Sequence, residues 1–381
     1  MLRLAAISIV TLLAEPAFAD QDASKRLGRG YRLVIEKDGL VVRKGKQRAL
    51  LTKSGVMEFT KLAIDNQKVD VEVMDSTCAG SSRYTWTFAN LGARLANTSA
   101  FALHAKQNYK ASAAGFAKAV AADPSFRVAA YNLASAQTLL GAQDAAITAL
   151  APWIAAEPIA TYVQVTSDPE LRPLLARPEL QQQRAGKPGA IKLTDKALDG
   201  GVAYAADRGL VAVLHTESSW GSSAHERTLE IFELATGTRV ASTPIIKWNE
   251  TDNNCYSTEC ELVKAARPVV AKRVEALTAM LGELGFVTPT TERVAAAWND
   301  DETKRKAFLP RAKLGVVAAR DGVARVVRGN QVLGTTKIHE RLDEVVLVEE
   351  ARAVVVWSFH PTGEGCDGYP ETHISMIRLP P

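Results

Sequence analysis

Two acidic–proline pairs, Asp123-Pro124 and Glu157-Pro158, stand 34 residues apart in this chain, and the text around them reads as helix. A helical unit of that period cannot bury its apolar face alone and must stack against a neighbour of its own kind. NYKASAAGFAKAVAADP (108–124) and YNLASAQTLLGAQDAAITAL (131–150) carry the corresponding positions. Small residues at Ala100, Ser112, Ala119, Ala134 and Ala146 let antiparallel helices approach closely, while Tyr109, Phe116, Leu133, Ile147 and Leu150 fill the space between them. Gly141 supplies a helix stop, since glycine enters the left-handed region without a Cβ penalty. Each proline ends a helix, because it lacks the amide donor and restricts the residue before it.

Tyr109, Phe116, Ala119 and Pro124, followed by Asn132, Leu133, Ala134, Gly141, Ala146 and Ile147, resemble the tetratricopeptide (TPR) repeat. The resemblance covers 93–158, and SDPELRPLLARPELQQQ (167–183) resembles the helical segment that closes such pairs. There are departures: Ser99 and Gln107 replace the usual apolar residue and glycine of the first repeat, and Pro152 interrupts the last expected helix. Two repeats are fewer than a free-standing stack needs, so the block must lean on another part of the chain. The resemblance implies a scaffold that holds a protein or peptide, with the first helix of each repeat lining a concave groove. By position that face is Arg94, Asn97, Phe101 and His104, then Val128, Tyr131, Ser135 and Thr138. Neither set has the lysine-rich clamp with which some members seize a C-terminal carboxylate, so a chaperone-tail partner is not expected.

Residues 1–19 read as a secretory signal: Arg3, an apolar stretch from Leu4 to Ala14, and Ala17-Phe18-Ala19 before Asp20. Export to the periplasm is expected, with an extracellular fate as the alternative. No later stretch is apolar enough to span a membrane. Charged residues of both signs are interspersed, with a net charge of +4, and no basic block carries interleaved aromatics. Nucleic acid is therefore not an expected partner.

The remaining text predicts an α+β chain. Residues 20–30 read as a polar lead-in. An N-terminal β segment covers 31–90, with strands at 31–36, 39–43, 47–52, 68–75 and 82–88. The helical block follows over 93–183, then a linker (184–190), then a β-rich region over 190–381. That last region contains a long amphipathic helix near 262–285 and a shorter helical stretch over 291–309, so that a helical insertion occupies 262–309. DGLVVRKGKQRALL (38–51) parallels DGVARVVRGNQVLG (321–334), and LDGGVAYAADRGLVAVLH (198–215) parallels LDEVVLVEEARAVVVWSFH (342–360). Related β units in one antiparallel body, propeller-like or a sandwich, would produce such echoes.

Four cysteines in an exported chain are read first as disulfides. Cys255 with Cys260 closes a small ring, which leaves Cys78 with Cys366 to join the first and last β segments. His360, Cys366 and His373, with His215, have the residue types of a metal site but a spacing that fits no familiar zinc pattern. No metal or other cofactor is expected. The chain lacks GxSxG, HExxH, a phosphate-cradling loop and a dinucleotide fingerprint, and the Ser- and His-rich HTESSWGSSAHE (215–226) reads as a loop. A non-enzymatic scaffold is the leading expectation. One alternative is an enzyme or small-ligand binder with a site around His215, His360 and Trp357; another is a structural envelope component.

If the signal is used, N-terminal sequencing of envelope-fraction protein should read Asp20 first. A soluble cytoplasmic product that retains Met1 would remove both the export expectation and the disulfides that depend on it.

Overall fold

The computed structural model describes residues 24–36, 39–52, 56–65, 67–75, 81–198, 201–218, 225–247, 250–251, 262–298, 305–319, 321–338, 341–360 and 371–380. The signal residues and all four cysteines, Cys78, Cys255, Cys260 and Cys366, lie outside these, and with them both expected disulfides. The fold is α+β, and every strand pairing within its sheets is antiparallel. The chain forms two compact units, one from Met1–Ser99 with Lys118–Asp123 and the other from Ala100–Ala117 with Pro124–Pro381.

In the first unit, β1 (Ser24–Gly28), β2 (Tyr31–Glu36), β3 (Gly39–Lys44) and β4 (Gln47–Thr52) form a meander in that order. A second sheet joins β5 (Val56–Ile64), β6 (Lys68–Asp75) and β7 (Ser81–Thr87). Leu33, Leu40 and Val42 from the first sheet meet Val69, Val71, Val73 and Trp86 from the second in one core. Phe88, Leu91 and Leu95 of α1 (Phe88–His104) complete that core. Two expectations are corrected here: the polar lead-in contains strand β1, and α1 starts at Phe88, not Ala93. The β segment also gains β5, in a stretch for which no strand was expected. The start of α1 is fixed by Thr87, whose hydroxyl oxygen accepts the Asn90 amide at 3.0 Å, a local cap for an otherwise unpaired donor.

The second unit contains the end of α1, the start of α2 (Tyr109–Ala122), and then α3 (Arg127–Leu139), α4 (Gln143–Ala156), α5 (Pro158–Ser167) and α6 (Pro178–Gln181). Close approach of α1 and α2 is direct: a Cβ added to Gly115 would stand 2.7 Å from Ala100 Cβ. Ala134 of α3 and Ala146 of α4 are fully buried, as the small-residue pattern requires. One expectation about proline fails: helix α4 runs on through Pro152, whose ring is exposed. Pro158 follows the end of α4 at Ala156, as expected, and also opens α5, where its missing N–H costs nothing.

Behind the helices stands a sheet of β8 (Val202–Ala205), β9 (Leu210–Ser218), β10 (His225–Glu233) and β11 (Arg239–Ile246), joined in sequence order. One face buries Ala203, Ala205, Leu210, Ala212, Leu229 and Ile231 against Tyr162, Val163 and Val165 of α5 and Val270, Leu277 and Leu281 of α7 (Arg267–Glu283). The chain continues through β12 (Thr291–Ala295), β13 (Ala297–Trp298), β14 (Arg305–Leu309), β15 (Leu314–Ala319), β16 (Val323–Arg328) and β17 (Gln331–Lys337). It ends in β18 (Arg341–Val348), β19 (Ala353–His360) and β20 (Glu371–Arg378). These strands make two sheets, ordered β12-β18-β19-β20 and β13-β14-β15-β16-β17. The expected helix over 291–309 is thus overturned: β12 is an edge strand zipped to β18, with Arg293 bonded to Glu344 across the pair.

The three sheets are layered. Val202, Val211, Val213 and Phe232 on the far face of β8–β11 pack on Val346, Val348, Val355, Trp357 and Met376. The opposite face of that second sheet, with Val345, Val354, Val356 and Ile377, packs on Leu314, Val316, Ala324 and Val326 of the third. The internal echo has a structural counterpart. Hairpins β8–β9 and β18–β19 have the same turn length, with Ala205 opposite Leu210 and Val348 opposite Ala353. At the same step along the second strand, each places a buried polar residue, His215 and Ser358.

The expected linker at 184–190 is pinned. Gly189 donates its amide to Gly282 O at 2.7 Å, and a Cβ there would stand 1.9 Å from Phe286 O, so no other residue fits. Tyr162 of α5 donates its hydroxyl to Glu283, which also holds Arg184 at 2.9 Å. Burial and the Glu283 carboxylate push the Tyr162 phenol up to about 12.

Overpacking tests the helical arrangement. Ala146→Leu should destabilise by about 1–3 kcal/mol, whereas Lys118→Leu, at an exposed position of α2, should stay within about 0.5 kcal/mol in denaturant melts. Equal tolerance would contradict close packing at Ala146.

Candidate functional site

His104 is the last residue of α1, a position where a helix end favours positive charge. Its ring packs on Phe101 (centroids 6.2 Å apart), Tyr109 (5.2 Å) and Phe116 (6.2 Å). One helix over, Ser135 in α3 is 4% exposed and brings its hydroxyl 3.3 Å from His104 Nε2. Glu170, in the turn after α5, completes a triangle: its Oε2 lies 3.3 Å from the same ring nitrogen and accepts the Ser135 hydroxyl. The turn that presents Glu170 is set by Asp168, whose Oδ1 accepts the Glu170 amide at 2.9 Å. Burial holds the Asp168 carboxyl above the ordinary range, and the neighbouring Glu170 charge adds to that, against opposing pulls from the bonded Glu170 amide, His104 and Arg172.

This constellation has the residue types of a nucleophilic triad but not its geometry. In a triad the imidazole takes the hydroxyl proton on one nitrogen and is oriented by the acid through the other. Here serine and glutamate converge on a single nitrogen, and the hydroxyl donates to the carboxylate. Ser135 is consequently held, not activated. The chemistry available is a charge-assisted polar clasp joining α1, α3 and the turn after α5.

Sequence reasoning placed His104 and Ser135 on one face, and the structure brings them together. It missed Asp168 and Glu170; their signal was the Asp-Pro-Glu turn immediately after a helix. The other expected groove residues divide. Phe101 is 56% exposed and Val128 is 53% exposed, and both are available for contact. Leu139 and Leu140, at the end of α3, are exposed as well. Tyr131 and Thr138 are corrections: both are buried, and Thr138 spends its hydroxyl on Ala134 O at 2.8 Å. Burial raises the Tyr131 phenol. Arg94 and Asn97 belong to the first unit, where Arg94 Nε donates to Asn90 Oδ1 at 2.9 Å.

Of the alternative β-region site, His215 and Trp357 are buried, Trp357 within the core between the first two sheets of the stack. His215 Nδ1 lies 3.9 Å from Glu230 Oε2, and Glu230 is held by Arg239 Nη1 at 2.5 Å. His373 alternates with Ile374, which belongs to that core, and so points to the other face of β20. The His360 side chain and the loop 219–224 lie outside the described residues. Among the described residues, no group of three His, Cys, Asp or Glu side chains is placed to hold a metal. Nor does any described helix have the length and apolarity to cross a membrane. Comparison with family models, curated proteins and solved structures finds no match.

A carboxyl whose folded-state value is raised favours folding fully below its unfolded value and loses that contribution as pH rises through the folded one. Asp168→Asn keeps the acceptor for the Glu170 amide and removes the half-buried charge. Its melting temperature should therefore match wild type near pH 3 and rise above it by pH 7. A difference that instead shrinks with rising pH would contradict this electrostatic assignment.

Proposed function

We propose that the chain is an exported, non-catalytic scaffold of the cell envelope, most simply periplasmic, whose TPR-type helical hairpins hold a protein or peptide. The observation that carries this reading is Phe101. It is a large aromatic left 56% exposed, yet its ring stacks on His104, which the Ser135–Glu170 clasp holds in place. Rigid aromatic anchors lose little freedom on binding and dominate recognition surfaces. Val128 adds a second exposed apolar side chain on α3, the other helix that carries the clasp. A second reading, a structural component in which the helices brace the sheets, draws on the continuous core from Tyr131 of α3 through α5 to Phe286.

Affinity capture from periplasmic extract separates the two. Wild-type protein should retain a reproducible partner that a Phe101→Ser, Val128→Ser double variant loses at least tenfold, with an unchanged melting temperature. Undiminished capture by the folded variant would refute the groove reading and favour the brace.

A further inference from the structure

A separate feature lies on the outer face of the β5–β6–β7 sheet. The inward side chains of this sheet, Val69, Val71, Val73 and Trp86, enter the core of the first unit. Strand alternation therefore turns Lys61, Ala63, Asp70, Glu72, Arg83 and Thr85 to the other side. The register puts Lys61 opposite Glu72 and Ala63 opposite Asp70, with Arg83 and Thr85 next on β7. Ala63 is the one short apolar side chain among them. Above it opens a cavity of about 290 Å³, lined by Lys61, Ala63, Asp70, Val71, Glu72 and Arg83.

The charges around this hollow are incompletely matched. Arg83 reaches Glu72 through a single nitrogen at 3.0 Å and remains 71% exposed, leaving further guanidinium donors facing outward. Asp70 receives the Thr85 hydroxyl on Oδ1 at 2.5 Å, and its second oxygen has no partner among the described residues. The Lys61 ammonium likewise has no partner among them. Lys61 and Asp70 are diagonal neighbours across the Ala63 gap, where Cβ atoms stand roughly 7 Å apart. The hollow thus sets Lys61 and Arg83 on either side of Glu72 in one row, with Asp70 between Ala63 and Thr85 in the next and Ala63 as a small apolar floor.

We propose that this hollow binds a small zwitterion, such as a short peptide, with its carboxylate toward Lys61 and Arg83 and its ammonium toward Asp70. The proposal is independent of the helical scaffold reading, since every lining residue belongs to the first unit. An open site built from exposed charges gives weak affinity, with a dissociation constant on the order of 1 mM that weakens with salt.

Ligand-observed NMR titration of the full mature protein tests it, with glycylglycine, N-acetylglycine and glycinamide as probes. Glycylglycine should bind at least fivefold more tightly than either singly charged compound. Ala63→Leu, at an exposed position that leaves the core untouched, should abolish the signal while the melting temperature stays unchanged. Asp70→Asn should bring glycylglycine down to the level of N-acetylglycine. Equal binding of all three probes, no saturable binding of glycylglycine, or binding unaffected by Ala63→Leu would overturn the proposal.

Discussion

The sheet β8–β11 is buried on both faces, and the second unit is built around that requirement. Val202, Ala203 and Ala205 of β8 and Leu210 to Val213 of β9 are all buried, so apolar residues follow one another where a half-exposed strand would alternate. One face needs helices and the other needs a second sheet. That second sheet, with Val345, Val346, Val354 and Val355 also buried, has the same need on its own far side. The layers follow from this demand: helices, sheet, sheet, and a last sheet whose outer surface carries exposed Val332 and Phe308. A short helical stack that cannot stand alone finds its missing neighbour in the first of these sheets.

Polar contacts then fix how the helices lie on that sheet. Ser167 of α5 meets Thr243 of β11 at 3.0 Å, and Tyr162 ties α5 to Glu283 of α7. Arg273 of α7 holds Glu250 through two nitrogens, at 2.8 and 2.9 Å, and donates to Ile245 O at 2.6 Å. Burial opposes the Glu250 charge, but the Arg273 bonds and the Lys247 amide outweigh it, and the carboxyl sits below its ordinary range. Such buried pairs add little net stability compared with apolar packing, yet breaking one is costly because the surviving charge is stranded. Their effect is to specify one docking of α7 among the many that its apolar side chains alone would permit.

Much of this was legible because the relevant signals are local. Period-two text located β2, β3, β4, β6 and β7, and small residues every few positions located the helical hairpins. What failed depended on tertiary context. TERVA, with helix-compatible Glu292, Arg293 and Ala295, becomes β12 because it pairs with β18 and because buried Glu292 accepts the Arg311 and Ala312 amides at 2.7 and 3.1 Å. Pro152 looked like a break, but a proline ring on an exposed helix face can be carried when neighbouring turns are held by packing. At the site, one turn of helix separates exposed Phe101 from His104, and the sequence shows both. Glu170 could not be joined to Ser135 from sequence because it lies 35 residues beyond it, and the Asp-Pro-Glu text marks a turn without showing which side chain that turn meets.

The clasp and the exposed aromatic are best understood as one device. Ser135 is nearly fully buried, so its hydroxyl must be satisfied, and within the clasp it donates to Glu170 while lying beside the His104 ring. Those two groups sit on separate segments, and satisfying Ser135 therefore draws the end of α1 and the turn after α5 onto α3. The His104 ring, held at Nε2, becomes a fixed platform with Tyr109 and Phe116 against it and Phe101 stacked on its solvent side. An aromatic on a free helix end would sample several rotamers, and each would be lost on contact. Held in this stack, Phe101 has already given up that freedom in folding, and what remains of its exposed surface can be converted into contact at lower entropic cost.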